Sequence, residues 1–107
     1  MTFVDLGPRG ELWNGEFRVV PAGGRRVLLI NVEEEISAYE DACQHLGLSF
    51  ESARLEGSAL RCSHHGWEYD ARTGIGRNPG GVCLKRFPLE IRDGRILVDL
   101  GSGGERG

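Results

Sequence analysis

The chain has 107 residues, 39% hydrophobic and 27% charged, with a formal net charge of −3, which bounds it to one small globular domain. It lacks the Lys and Arg run that neutralises phosphates, which excludes a nucleic-acid binder. It also lacks the roughly eighteen consecutive apolar residues of a transmembrane helix. The three cysteines are an odd count. With no basic segment and apolar run after Met1, they do not read as a disulfide framework, and a cytoplasmic location with reduced thiols is expected.

Seventeen glycines, and short β-branched runs broken by turn residues, predict an all-β sandwich or barrel. Residues 15–20 and 25–32 read as paired strands turned at Gly23-Gly24. Glu33-Glu34-Glu35 reads as a solvated turn, and residues 36–40 alternate apolar and polar toward Cys43. A helical turn fits residues 46–51. After a turn at Glu56-Gly57, residues 59–61 form a short strand that delivers Cys62. Residues 67–70 lead away, and Arg72-Thr73-Gly74 closes that hairpin. Residues 76–81 read as a loop without strand character. Residues 84–91 and 95–100 form a hairpin around Arg92-Asp93-Gly94, with Pro88 marking the first run as an edge or bulged strand. The Gly-Ser-Gly-Gly tail from residue 101 is expected to be disordered. One domain over residues 1–100 is expected, with a ligand-bearing subdomain at about residues 42–82 and no internal repeat.

The chemistry lies in Cys43-Gln44-His45 and Cys62-Ser63-His64-His65. Two thiols and two imidazoles in two short loops are the ligand set of a Rieske [2Fe–2S] centre, where His replaces Cys on one iron. Cys43, His45, Cys62 and His65 are therefore the candidate metal-binding and cofactor-binding residues. With both thiolates on one ferric iron and both imidazoles on the other, the oxidised centre is neutral. An all-cysteine cluster carries more negative charge, which explains potentials of about −150 to +300 mV against about −400 mV for plant-type ferredoxins. The imidazoles add protons that can couple to oxidation. The same four donors also suit zinc, which would make the chain a metal-stabilised interaction module. Structural zinc sites usually pair like ligands as C-x2–4-C or H-x3–5-H, whereas each knuckle here mixes the two.

Cys43-Gln44-His45-Leu46-Gly47 and Cys62-Ser63-His64-His65-Gly66-Trp67-Glu68-Tyr69-Asp70 resemble the two loops of Rieske ferredoxins, and the resemblance runs over residues 3–100. Leu12-Trp13-Asn14-Gly15-Glu16, Val27-Leu28-Leu29-Ile30-Asn31-Val32, and Gly74-Ile75-Gly76-Arg77-Asn78-Pro79 with Cys83-Leu84 look most like the ferredoxin component of toluene-type bacterial multicomponent monooxygenases. The resemblance implies antiparallel sheets with a small cluster-binding subdomain at one end. It implies that Cys43 and Cys62 hold the inner iron and His45 and His65 the outer one. It further implies a soluble, monomeric, non-catalytic carrier. Single electrons would pass from an NADH-dependent flavin reductase to a di-iron hydroxylase that oxidises an aromatic or similar hydrocarbon. The alternative recipient is an aromatic-ring-hydroxylating dioxygenase.

High-potential relatives have two further cysteines at the positions of Leu48 and His64, and a hydroxyl donor at that of Trp67. Their absence implies a potential toward the low end of the Rieske range. His64 is expected at the surface between two ligands. Cys83 is expected as a small buried core residue, and Trp13 and Trp67 as packing residues. Tyr69 is a candidate donor to a ligating sulfur, and Asn78-Pro79-Gly80 a candidate third loop over the cluster.

Overall fold

An unbroken apolar run is the mark of a strand buried on both faces, and Val27-Leu28-Leu29-Ile30 supplies it. The computed structural model describes residues 3–42, 49–62, 66–78 and 80–100. In it this run lies within strand β3 (Arg25–Val32), paired antiparallel with β2 (Phe17–Ala22) and β4 (Glu35–Glu40). Alternate β3 side chains enter two separate cores. Val27 and Leu29 join Ile36, Ala38, Phe87, Ile96 and Val98, while Leu28, Ile30 and Val32 join Tyr39, Phe50, Leu60, Cys62 and Tyr69.

Each core lies under its own outer sheet. On one side β1 (Phe3–Pro8), β11 (Arg95–Asp99) and β10 (Leu89–Arg92) form an antiparallel three-stranded sheet in the order β1-β11-β10. On the other, β5 (Arg54–Glu56), β6 (Ala59–Arg61), β7 (Glu68–Asp70) and β8 (Gly76–Asn78) form a four-stranded sheet in chain order. The central sheet is completed by β9 (Arg86–Phe87), which pairs with β4. Among the described residues the sole helical element is a 3-10 turn at Arg9–Glu11, and no helix is long and apolar enough to cross a membrane.

Several expectations need correcting. Residues 36–40 do not alternate in burial: Ile36, Ser37, Ala38 and Tyr39 are all enclosed, because both faces of β4 are covered. Residues 76–78 are a strand, not a loop. Gly76 lies opposite Tyr69, and Asn78 opposite Glu68 across an irregularity in the ladder, so backbone pairing makes the strand without help from β propensity. The predicted run 84–91 is two strands. Pro88 separates β9, which belongs to the central sheet, from β10, which belongs to the outer one, since proline has no N–H to continue a ladder. Residues 3–8, given no role above, are a strand. Of the predicted helical turn, residues 46–48 lie outside the described residues, as do Pro79 and the tail from residue 101, and residues 49–51 are not helical.

Three hairpins turn through two residues of positive φ. Two are those the sequence marks, Gly23-Gly24 and Asp93-Gly94. The third is Glu33-Glu34, with φ of 55° and 68°, where side chains disfavour the left-handed conformation by about 1–2 kcal/mol per residue. Neighbouring segments hold it: Asn14 Oδ1 accepts from Glu33 N at 2.7 Å, and Arg9 donates to Glu34 O at 3.0 Å. Glu33 and Glu35 both pair with Arg72, and Glu34 with Arg9. The acidic triplet is thus largely matched by arginines of the same chain.

Candidate metal centre

Of the four predicted ligands, Cys62 falls within the described residues; Cys43, His45 and His65 lie outside them, as does His64. What the structure shows is Cys62 and the residues that flank the two expected ligand segments. Cys62 directly follows β6 and is 1% exposed. Its N–H donates to Trp67 O at 2.7 Å, extending the β6–β7 ladder by one pair beyond Arg61 and Glu68. Residues 63–66 are left as a short connection, ending at Gly66 with φ of +67°. The stem on either side of positions 63–65 is thereby fixed.

The first segment is clasped by a residue to which the sequence reading gave no role. Asp41 ends the run from β4, two positions before Cys43, and its side chain is fully enclosed. Its carboxylate accepts from Phe50 N at 2.7 Å and from Ser49 Oγ, and faces Arg26 Nε at 3.4 Å. The end of the β4 segment is thereby tied to Ser49 and Phe50, on the far side of positions 43–48. Asp41 N also donates to Arg26 O at 3.1 Å.

The two stems share one base. Phe50 packs edge-on against Tyr69, with ring centroids 5.7 Å apart and planes at 84°. Tyr69 is the ladder partner of Leu60, two residues before Cys62. Tyr39 closes the far side by donating its hydroxyl to Ala71 O at 3.0 Å, and burial raises its phenol above the ordinary tyrosine range. Cys62 and the residues that flank positions 43–48 therefore sit on a single packed platform. A bimetallic centre gripped by two loops needs this arrangement, and a thiol enclosed beside apolar side chains suits its sulfur side. Cys62, the described member of the expected quartet, fits the cluster.

The remaining predicted residues divide. Tyr69 is fully buried among the core residues around Cys62, and Trp67 is half-buried against the same core. Trp13 is no packing residue: it is 70% exposed, with its indole N–H donating to Gly10 O at 3.1 Å. Cys83 is exposed rather than buried. It bridges Ile75 across an antiparallel pair, itself 56% exposed, while Leu84 turns inward. Asn78 belongs to β8. Among the described residues no three metal-ligating side chains cluster.

Comparison with known proteins yields a consistent picture. Residues 2–88 match the family model of the Rieske [2Fe-2S] domain. The ferredoxin component of the alkene monooxygenase system of Xanthobacter autotrophicus is 37% identical over 97 residues, covering 90% of this chain and 80% of that one. The ferredoxin component of biphenyl 2,3-dioxygenase from Rhodococcus jostii is 29% identical over 104 residues, 96% of this chain and 97% of the relative. A chain in the complex of reduced oxygenase and oxidized ferredoxin of carbazole 1,9a-dioxygenase superposes with a TM-score of 0.81 at 26% identity, covering 90% of this chain and 91% of that one.

Proposed function

Because the chain belongs to the Rieske [2Fe–2S] domain family, we propose that it carries single electrons from an NADH-dependent flavin reductase to the di-iron hydroxylase of a hydrocarbon monooxygenase, holding its cluster through Cys43, His45, Cys62 and His65. It is an electron-transfer ferredoxin and not itself a catalyst, as its relatives are named. When bound, the cluster supplies a one-electron couple. The rest of the task falls to the chain.

The observation that carries this reading is the common platform beneath the two ligand segments, with Asp41 clasping one and the Cys62–Trp67 ladder pair closing the other. A fixed base keeps the ligands in place when the charge on the centre changes, so little reorganisation accompanies each transfer. Cys62 is buried at the edge of the core, which limits the access of water to its sulfur. In this reading the imidazoles of His45 and His65 would hold the outer iron and present it to a partner. Tyr69 lies in the core around Cys62, where a hydroxyl donated to a ligating sulfur would raise the potential. The protein is then a cytoplasmic monomer that docks briefly through a small interface.

The test is direct. Anaerobically purified protein should contain about two irons and two sulfides per chain, bleach with dithionite, and give a rhombic paramagnetic signal when reduced. Colourless protein holding one zinc would overturn the reading. Voltammetry should place the midpoint in the lower half of the Rieske range, and Tyr69→Phe should lower it further. Reconstitution chooses the recipient. The greater identity to an alkene monooxygenase component than to the biphenyl dioxygenase component favours turnover with a di-iron hydroxylase over turnover with a ring-hydroxylating oxygenase.

A further inference from the structure

We infer that the cleft beside Cys62, between Arg54 and Arg61, is a docking site for a carboxylate-bearing surface of the partner protein. The inference rests on the electron-carrier reading above and adds where and by what charge the carrier is recognised. The cleft measures about 420 Å³ and is lined by Ser52, Arg54, Arg61, Cys62 and Gly66. Its only charged walls among the described residues are thus two arginines, and the floor between them includes a proposed cluster ligand.

The arginines are arranged against their own interest. Arg54 and Arg61 stand directly opposite each other across β5 and β6, a like-charge juxtaposition that destabilises a sheet. Arg61 is partly offset by its partner on the next strand, Glu68, at 3.5 Å. Glu68 is shared with Arg77 at 3.8 Å, and Arg77 also reaches Asp70 at 3.4 Å. Three cations draw on two carboxylates, and the surplus falls on Arg54 at the exposed edge of the sheet. Glu51 and Glu56, the acids nearest Arg54 in the chain, form no ion pair with it among the described residues. Residues 43–48 and 63–65, which complete the ligand segments, contain no Asp, Glu, Lys or Arg.

A chain of net charge −3 therefore exposes, beside its redox centre, a cation that no carboxylate matches among the described residues. By contrast, the acidic turn at Glu33–Glu35, at the far end of β3 and β4 from the ligand loops, is matched by Arg9 and Arg72. Steering by local charge sets encounter rate and orientation more than affinity, which suits a carrier that must bind and leave quickly.

The experiment oxidises the dithionite-reduced holoprotein in a stopped-flow instrument with one of two reagents. Ferricyanide, an anion, takes one electron and leaves as ferrocyanide; hexaammineruthenium(III), a cation, takes one electron and leaves as the ruthenium(II) complex. The ferricyanide rate should fall as ionic strength rises from about 10 to about 300 mM, despite the net negative charge. Arg54→Glu should cut the low-salt ferricyanide rate about tenfold and abolish that salt dependence, and Arg54→Lys should retain both. Arg92→Glu, an equal change of net charge at an exposed arginine already paired with Glu90, should stay within about twofold of the parent. A decaglutamate peptide, standing in for an acidic protein surface, should slow the ferricyanide reaction of the parent and not that of Arg54→Glu. A ferricyanide rate that rises with salt, equal effects of the Arg54 and Arg92 reversals, or no competition by the peptide would each overturn the docking site while leaving the carrier intact. Reduced protein that passes no electron to either reagent would remove the carrier reading, and the docking site with it.

Discussion

Replacing Asp41 with alanine tests whether the ligand platform is held as the structure indicates. The carboxylate is fully enclosed and accepts from Phe50 N and Ser49 Oγ. Hydrogen bonds to a charged acceptor contribute about 1.5–3 kcal/mol each, and truncation leaves a buried N–H without a partner. Arg26 is 56% exposed, so solvent screens the ion pair and little is added for it. The expected cost is about 3–5 kcal/mol, a large share of the roughly 5–15 kcal/mol that stabilises a domain. That cost falls on the clasp around residues 42–50, so local opening of the first ligand loop should rise about a hundredfold or more, at about 1.4 kcal/mol per decade. Where opening and closing are fast, capture from the open form follows its population. The assay is the decay of visible absorbance of the holoprotein in excess ferrous chelator. Asp41→Ala should bleach about a hundredfold faster than the parent. Asp41→Asn, which retains one acceptor for Phe50 N, should fall between them. An Asp41→Ala rate within about threefold of the parent, below 1 kcal/mol, would refute the clasp.

Three other outcomes follow from particular geometries. A Cβ on Gly74 would lie 2.7 Å from Tyr39 Cε1, inside a fully buried ring contact, at a φ of +79°. Gly74→Ala should therefore destabilise by about 2–4 kcal/mol from overpacking and left-handed strain together, read as a lowered thermal midpoint. The Glu33→Asn, Glu34→Gly double variant relieves the side-chain-bearing turn at φ of 55° and 68° and forfeits only exposed ion pairs. It should gain about 1 kcal/mol and raise the midpoint by about 4–8 °C, and a fall would refute the strain. Burial of Tyr39 raises its phenol, so the folded state keeps a proton that the unfolded chain releases. Its contribution is complete below the ordinary phenol value of about 10 and is lost as pH rises through and beyond it. Tyr39→Phe should flatten the alkaline limb of the stability profile measured by urea melts.

Much of this arrangement was legible in the sequence, and the exceptions have physical causes. β3 matches residues 25–32 because an unbroken apolar run bounded by Gly-Gly leaves no other reading, and Asp93-Gly94 is a turn because both residues tolerate positive φ. β8 was missed because Gly-Arg-Asn has no strand propensity and pairs through its backbone alone. Trp13 was placed inside because tryptophan is usually well covered, yet its polar atom is satisfied locally by Gly10 and its ring stays in solvent. Cys83 was misread although a signal existed. Leu84 is buried and Val82 half-buried on either side of it, and in an extended segment the residue between two inward neighbours points out. Asp41 carried no signal, since its partners Ser49 and Phe50 lie across the ligand loop and only the fold brings them together.

The proposed ligand quartet was read from residue type and spacing, in which ligand chemistry is written. The platform beneath it is written in the two-faced burial of β3 and β4. One face of that sheet seats Leu28, Ile30 and Tyr39 against Phe50, Leu60, Cys62 and Tyr69, and the other seats Val27, Leu29 and Ala38 against the outer sheet of β1, β10 and β11. A substitution in the second core, such as Val98→Ala, should therefore lower overall stability by about 1–3 kcal/mol yet leave the reduced paramagnetic spectrum unchanged. A change in the first core, such as Leu60→Ala beside Tyr69 and Cys62, should alter both. If both variants shifted the spectrum equally, the two faces would not be mechanically separate, and the platform would have to be ascribed to the whole molecule.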